Sequence, residues 1–156
     1  MRRRFCRCVL VCVLLTWADP RVVRASCGLN LPPRSTILNE FRRPPCPRCA
    51  GQRGIDYATS AGSELVSVAR GRVSFAGQVA GTLYVVIDTG SVRVTHGGLQ
   101  SISVETGEMV AVGQAVGTAG PVTYIGVRRG DWYVDPLACG VRRTRLVAEG
   151  DRDPHR

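Results

Sequence analysis

The sequence predicts a small all-β domain of short antiparallel strands arranged as a closed or folded-over sheet. Between Ile55 and Pro136, β-branched runs alternate with glycines, and helical periodicity is weak. Glycine tolerates a positive φ and a close backbone approach, so seven glycines mark the expected turns. These are Gly71, Gly77, Gly81, Gly90, Gly107, Gly113 and Gly117. Their spacing fits hairpins.

Eight segments are predicted to be strands, because each is rich in β-branched or aromatic residues and ends near a turn signal. In chain order they are residues 65–69, 72–75, 83–88, 92–95, 101–104, 114–118, 124–128 and 132–134. The stretches that begin at Gly62 and Gly107 each run from a glycine through an apolar strand to a glycine turn. This similarity indicates a duplicated β motif, whose two halves would share one core.

The composition changes at both ends of the predicted domain. Residues 1–25 read as a signal peptide, because arginines precede an apolar run and small residues end it near Ala25. The run, at about eleven residues, is shorter than the roughly 20 that a membrane span needs. We therefore expect a secreted protein without a membrane span, although lipidation of Cys27 is an alternative.

The mature chain then divides into three parts. Residues 26–49 are a Pro- and Arg-rich lead-in that we expect to be extended, and residues 50–140 form the β domain. The charged residues 141–156 have few apolar side chains, which predicts a disordered tail.

Charge argues against nucleic acid as a partner. The net charge of +9 includes six arginines and one aspartate in the leader, so 15 arginines and 11 acidic residues, or +4, remain. No basic patch stands out, and few aromatic residues are available to stack on bases. The chain also has no lysine, which excludes the biotinyl and lipoyl carriers that share a related β architecture.

Four cysteines remain after removal of the leader, and an even number in an oxidising compartment predicts two disulfides in one of three connectivities. They are Cys27, Cys46, Cys49 and Cys139. The Cys46-Pro-Arg-Cys49 motif leaves open a redox pair, or half of a zinc site together with Asp56 and Cys139.

Five motifs follow one another along the chain, at residues 54–58, 68–77, 84–90, 107–118 and 126–137. This ordered set resembles the murein endopeptidases of the lysostaphin and LytM type. The resemblance covers most of the mature chain, and its closing motif is most similar to the actinobacterial branch. It implies a barrel-sandwich hybrid fold with a duplicated hybrid motif, and a zinc metallopeptidase ancestry.

The resemblance also implies that the catalytic site is degenerate. Family members hold zinc with a His-x-Gly-x-Asp motif and the second His of a His-x-His strand. Of these ligands only Asp56 is retained, because Gln52 and Tyr124 occupy the two histidine positions. The two catalytic histidines fall on Gly98 and Val122. Since an amide and a protonated phenol are poor zinc donors, we expect no cofactor unless the site is rearranged.

Two remaining polar residues leave alternatives open. His96 occupies a position that the family gives to tyrosine, and we expect it at a turn or strand end, although a shifted strand could bring it to the cleft. Asp56 is either a structural relic or the recognition group of a cleft that still binds peptide. Gln52, Asp56, His96 and Tyr124 are therefore the cleft candidates.

The resulting hypothesis is a secreted, cell-wall-associated, non-catalytic protein that binds peptidoglycan or regulates a cell-wall hydrolase. The alternative is an active peptidoglycan metalloendopeptidase with a rearranged site of Asp56, His96 and a cysteine. A third possibility is a structural domain whose partner is another protein. A phosphocarrier would be cytoplasmic and would normally have two site histidines, so the leader argues against it.

Overall fold

A computed structural model describes residues 27–46 and 48–141. The predicted signal peptide at 1–25 and residues 142–156 of the predicted tail lie outside the described residues. The proposed cleavage and the disorder of the tail therefore stay predictions.

In the described part of the chain, nine strands form one antiparallel sheet, which confirms the all-β class. The strands are β1 (Ile37–Asn39), β2 (Gly54–Ala58), β3 (Glu64–Val66), β4 (Gly71–Val79), β5 (Thr82–Asp88), β6 (Arg93–Ile102), β7 (Met109–Val110), β8 (Ala115–Arg129) and β9 (Trp132–Val134). The strand order is β1-β2-β8-β6-β5-β4-β7, and β3 and β9 also pair with β8.

Helical structure in the described residues is limited to a 3-10 turn (Arg34–Thr36) and a short helix α1 (Pro136–Cys139). The side chain of Asp135 caps α1 by accepting a hydrogen bond from the backbone N–H of Leu137. Neither element is long and apolar enough to cross a membrane.

Two strands are longer than the sequence predicted. The segments expected at 92–95 and 101–104 both overlap the single strand β6, and those at 114–118 and 124–128 both overlap β8. The pairing of β6 with β8 shifts register between Gly97 and Leu99 and again between Leu99 and Ser101. Such irregularities bend a strand without ending its pairing, so the breaks predicted at residues 96–100 and 119–123 lie within continuous strands.

Three of the seven predicted turn glycines lie inside strands. Gly71 and Gly77 belong to β4, and Gly117 belongs to β8. A Cβ atom on Gly71 would lie 2.3 Å from the carbonyl oxygen of Asp88. Glycine is needed there for the close approach of β4 to β5, which a single sequence does not distinguish from a turn.

The lead-in takes part in the sheet rather than only preceding it. β1 pairs with β2, and Leu29 is almost fully buried. The N–H of Leu29 donates to the carbonyl of Cys139 at 3.0 Å, and the N–H of Val141 donates to the carbonyl of Leu29 at 2.9 Å. The two ends of the described chain are therefore joined by backbone hydrogen bonds.

The four cysteines form two disulfides, Cys27–Cys139 and Cys46–Cys49. The first reinforces the junction of lead-in and α1 and spans 112 residues of sequence. The second closes the loop directly before the Gln52–Asp56 segment. In this state none of the four described cysteines offers a thiolate to the zinc or rearranged-site alternatives.

The interior contains two apolar clusters instead of the single shared core that the duplicated motif suggested. One cluster includes Ile55 and Ile125, and the other includes Val85 and Leu99. His96 lies on β6 opposite Val85 on one side and Ile125 on the other. It therefore stands between the two clusters.

Candidate functional site

A row of side chains runs across five neighbouring strands. The register aligns Asn39 with Asp56, Asp56 with Tyr124, Tyr124 with Gly97, and Gly97 with Tyr84. Residues directly opposite each other in an antiparallel sheet project to the same face, so this row belongs to one face. We call it the cleft row.

The cleft row borders an open cavity of about 440 Å³. The structure places Gln52, Asp56 and Tyr124 on its wall, together with Gly98 and Val122. Three of the four cleft candidates and both degenerate catalytic positions thus meet in one place. His96 is the candidate that does not line the cavity.

Asp56 is held by two amide side chains. Asn39 Nδ2 donates to Asp56 Oδ2 at 2.9 Å, and Gln52 Nε2 donates to the same oxygen at 3.0 Å. Hydrogen bonds to an ionised acceptor are stronger than neutral ones, so the carboxylate is fixed in position. Sequence reasoning missed Asn39, because it lies 17 residues before Asp56 in the Pro-rich lead-in.

The ring of Tyr124 covers two glycines of the sheet. A Cβ on Gly54 would lie 2.5 Å from its Cε2 atom, and a Cβ on Gly126 would lie 2.4 Å from its hydroxyl oxygen. Burial raises the pKa of Tyr124 above its ordinary value, and the neighbouring Tyr133 and Asp56 raise it further. The phenol therefore stays protonated at neutral pH.

The position that corresponds to a catalytic histidine, Gly98, cannot carry a side chain in this backbone. Its φ is +74°, and a Cβ atom there would lie 2.3 Å from the carbonyl oxygen of Val122. Val122, at the other catalytic position, is an exposed aliphatic side chain on the cavity rim. Neither position offers a proton donor or acceptor side chain.

His96 projects to the other face of β6. It is the fourth residue of the strand, so the expectation of a turn or strand end was wrong. Its neighbours across the sheet are Val85 and Ile125, and it is only 1% exposed. Neither ring nitrogen has a hydrogen-bond partner among the described residues. Burial lowers the pKa of His96 to about 4, so the ring is neutral at pH 7.

The donor set of the cavity does not fit a zinc ion. Zinc in proteins takes thiolate, imidazole or carboxylate ligands, and here the carboxylate of Asp56 stands alone. The amides of Gln52 and Asn39 turn their NH₂ groups toward that carboxylate, so they act as donors. In the described part of the chain, no three His, Cys, Asp or Glu side chains are grouped as a metal site would need.

A cationic side chain, Arg53, also lines the cavity. Its Nη2 donates to the carbonyl of Cys49 at 2.8 Å, and its guanidinium lies 5.4 Å from the ring centre of Tyr133. The sequence contained Arg53 inside the family motif, but the motif's variable position gave it no role. The cavity thus combines one carboxylate, one guanidinium and the rings of Tyr84 and Tyr124.

Residues 50–136 match Peptidase family M23, which is more than half of the chain. The chain therefore belongs to this family, and the resemblance seen in the sequence is confirmed. No curated protein matches the chain.

Solved structures agree with this assignment. Csd3 of Helicobacter pylori is 26% identical with a TM-score of 0.66, and the match covers 78% of this chain and 35% of Csd3. A zinc-containing peptidase from Vibrio cholerae is 24% identical with a TM-score of 0.58, over 74% of this chain and 39% of that one. The catalytic domain of the antimicrobial peptidase lysostaphin from Staphylococcus simulans is 17% identical with a TM-score of 0.54, over 64% and 86%.

These matches define the fold over only part of the larger relatives. The chain spans 35% of Csd3 and 39% of the Vibrio peptidase. The likeness to the Vibrio peptidase and to lysostaphin, at 24% and 17% identity, concerns the fold alone. The scaffold is that of the M23 peptidases, while the cavity has its own set of residues.

Proposed function

We propose that the protein is a secreted, non-catalytic M23 family member that binds peptidoglycan peptides and, through this binding, influences cell-wall hydrolysis. The predicted signal peptide supports secretion, and membership of the M23 family supports a place at the cell wall. The partner in this proposal is peptidoglycan or a cell-wall hydrolase that acts on it.

The observation that carries the proposal is the state of Asp56. In a zinc peptidase this carboxylate would face a metal, and here its oxygen accepts hydrogen bonds from Asn39 and Gln52. Tyr124, directly opposite, keeps its proton and is no anionic ligand. Because this donor set does not fit zinc, which would lower the pKa of bound water, it does not support hydrolysis by the zinc-peptidase route.

Binding is favoured over a purely structural role because the cavity remains open. Its wall carries the amide of Gln52, a carboxylate, an arginine and tyrosine rings, which suit the amide-rich backbone of a peptide. If Asp56 were only a relic, apolar side chains could fill the cavity without loss. Instead, the glycines beneath the tyrosine rings keep the cleft row in place.

The experiment uses the mature, disulfide-intact protein. We expect retention on purified sacculi, less than stoichiometric zinc by elemental analysis, and no release of peptides. An Asp56→Ala variant should lose retention, whereas Glu64→Gln, an exposed change on β3 outside the cavity, should keep it. Stoichiometric zinc together with peptide cleavage would disprove the non-catalytic role, and absence of retention would disprove binding.

The regulatory part needs a separate measurement. An active hydrolase digests the same sacculi with and without the protein, and the rate of peptide release is compared. We expect the rate to change with the parent protein and with Glu64→Gln, but not with Asp56→Ala. Equal rates in all three would refute an influence on hydrolysis.

A further inference from the structure

The cavity carries two opposite charges that do not neutralise each other. Asp56 and Arg53 both line it, yet no ion pair joins them among the described residues. Each charge is fixed instead by neutral groups. Asp56 is held by the amides of Asn39 and Gln52, and Arg53 by the carbonyl of Cys49 and the ring of Tyr133.

The ring of Tyr124 lies near both charges. It covers Gly54, the residue that directly follows Arg53, and it stands opposite Asp56 in the sheet. The pKa of its phenol is affected by both, since Asp56 raises it and Arg53 lowers it. Tyr84, whose ring covers Gly97, adds a second aromatic wall. The cavity therefore presents separated charges with aromatic surfaces beside them.

This arrangement discriminates among classes of ligand. A simple cation would be attracted by Asp56 but repelled by Arg53. A simple anion would be attracted by Arg53 but repelled by Asp56. A ligand that carries both an ammonium and a carboxylate, as a free amino-acid end does, would meet both charges, because they line one cavity and form no ion pair with each other. Its aliphatic part would pack on the tyrosine rings, and its ammonium would also be attracted to their faces.

We propose that the cavity binds a zwitterionic amino-acid head group, with the ammonium at Asp56 and the carboxylate at Arg53. This inference rests on the proposed function and names the part of the wall peptide that is recognised. The group is available at the free side-chain end of a diamino-dicarboxylic acid in an uncrosslinked peptide. A free amino acid in solution offers the same chemistry.

The test is calorimetric titration of the mature, disulfide-intact protein with matched probes. The full probe is a muramyl tripeptide that ends in diaminopimelic acid with its side-chain ammonium and carboxylate free. One analogue carries an acetylated side-chain amine, and another carries a carboxamide in place of the side-chain carboxylate. Free diaminopimelic acid is the fourth probe. We expect the full probe to bind about tenfold or more tightly than either analogue, the size of one charge-assisted hydrogen bond.

Variants assign each charge to its partner. Asp56→Asn should remove the preference for the free amine and keep the preference for the carboxylate. Arg53→Gln should do the opposite, and Glu64→Gln should change neither. Because each variant is compared with itself across the probes, a general loss of stability would not imitate this crossed pattern. Thermal unfolding verifies that all three variants are folded.

The outcomes separate the two proposals. Equal affinity for all three peptides, or no binding of any probe, overturns the zwitterion inference. If sacculi still retain the protein in that case, the proposed function stands. If neither sacculi nor peptides bind, both fail. If free diaminopimelic acid binds as tightly as the peptide, the inference is supported and the head group alone is the ligand. If it binds more weakly than the peptide, the inference is supported and the ligand is the wall peptide.

Discussion

The two faces of the central strands carry rows that are one residue apart but differ completely in character. On one face, the cleft row runs through Tyr84, Gly97 and Tyr124 to Asp56. On the other, Val85, His96, Ile125 and Ile55 form a row that is fully buried. The single histidine among the described residues lies in the second row.

The difference explains why the described part of the chain contains a histidine while the cavity has none. Side chains alternate between the faces of a strand, so a shift by one residue moves a group from cavity to core. His96 is separated from the cavity by the sheet itself. Its imidazole neither binds a ligand in the cleft nor finds a hydrogen-bond partner in the core.

The largest change should come from placing two imidazoles beside the carboxylate of Asp56. Gln52→His combined with Tyr124→His would place two imidazoles beside Asp56, since residue 52 already reaches this carboxylate and residue 124 lies opposite it. We expect the double variant to bind one zinc ion, measured by elemental analysis and calorimetry. The single variant Gln52→His is the control and should stay well below one zinc.

Zinc alone should not restore hydrolysis, because Gly98 and Val122 still lack the catalytic histidines. Peptide release from sacculi by the double variant would contradict this account, and so would equally tight zinc binding by the parent protein.

The second prediction concerns His96 in the buried row and the loss of stability in acid. The pKa of His96 is about 4 in the folded protein and about 6.5 in the unfolded chain, so the unfolded state takes up the proton first. Stability from this group is full above pH 6.5 and falls as the pH drops toward 4. The total loss is roughly 3 kcal/mol at 1.36 kcal/mol per pKa unit.

Denaturant unfolding at several pH values between 7 and 4 measures this loss. His96→Leu should unfold with a shallower pH dependence in that window. At pH 7 it should be more stable by about 1 to 2 kcal/mol, because it removes two unsatisfied polar atoms from the core. An unchanged pH dependence would contradict the burial of His96.

A third prediction compares two glycines of the sheet. In Gly54→Ala, the added Cβ would meet the carbonyl oxygen of Ile125 at 2.3 Å, so backbone must move. Gly77→Ala adds a Cβ whose nearest neighbour is a ring atom of Phe75 at 3.3 Å. We expect Gly54→Ala to lose about 2 to 3 kcal/mol of unfolding free energy and Gly77→Ala to lose less than about 1. Equal losses would show that the close strand approach at Gly54 is not required.

The smallest effect should come from Gly126→Ala. Its Cβ would overlap the Tyr124 hydroxyl, which is the movable end of a side chain, so the ring should swing away from the cleft floor. We expect retention on sacculi to weaken by about tenfold, equal to roughly 1.4 kcal/mol, while the melting temperature changes little. A large drop in melting temperature without loss of binding would reverse this interpretation.

Much of the fold was predictable from the sequence, and the errors in the strand prediction have physical causes. The β-branched runs identified the all-β class and most of the strand positions. Strand β2 was missed because Gly54 and Asp56 have low β propensity, although the sheet around them fixes their conformation. β6 and β8 were each divided in two, because the stretches at 96–100 and 119–123 interrupt the β-branched runs in sequence although the strands continue through them.

The replaced zinc-ligand and catalytic positions of the site were predictable from the sequence, but the contacts between its side chains were less so. Gln52, Tyr124, Gly98 and Val122 followed from motif positions, and the structure places all four on the cavity with Asp56. Asn39 and Arg53 were missed, because their roles depend on which distant groups the fold brings near them.

The sequence alone determined the family, the absence of histidine from the motif positions and the four cysteines that follow the predicted leader, because these depend only on residue identity and order. The tertiary structure decided which groups share the cavity. Strand register, set by burial of one face, turned His96 inward and aligned Asn39, Asp56 and Tyr124 across three strands. Register depends on partners distant in the chain, and so the chemistry of the cavity emerged only on folding.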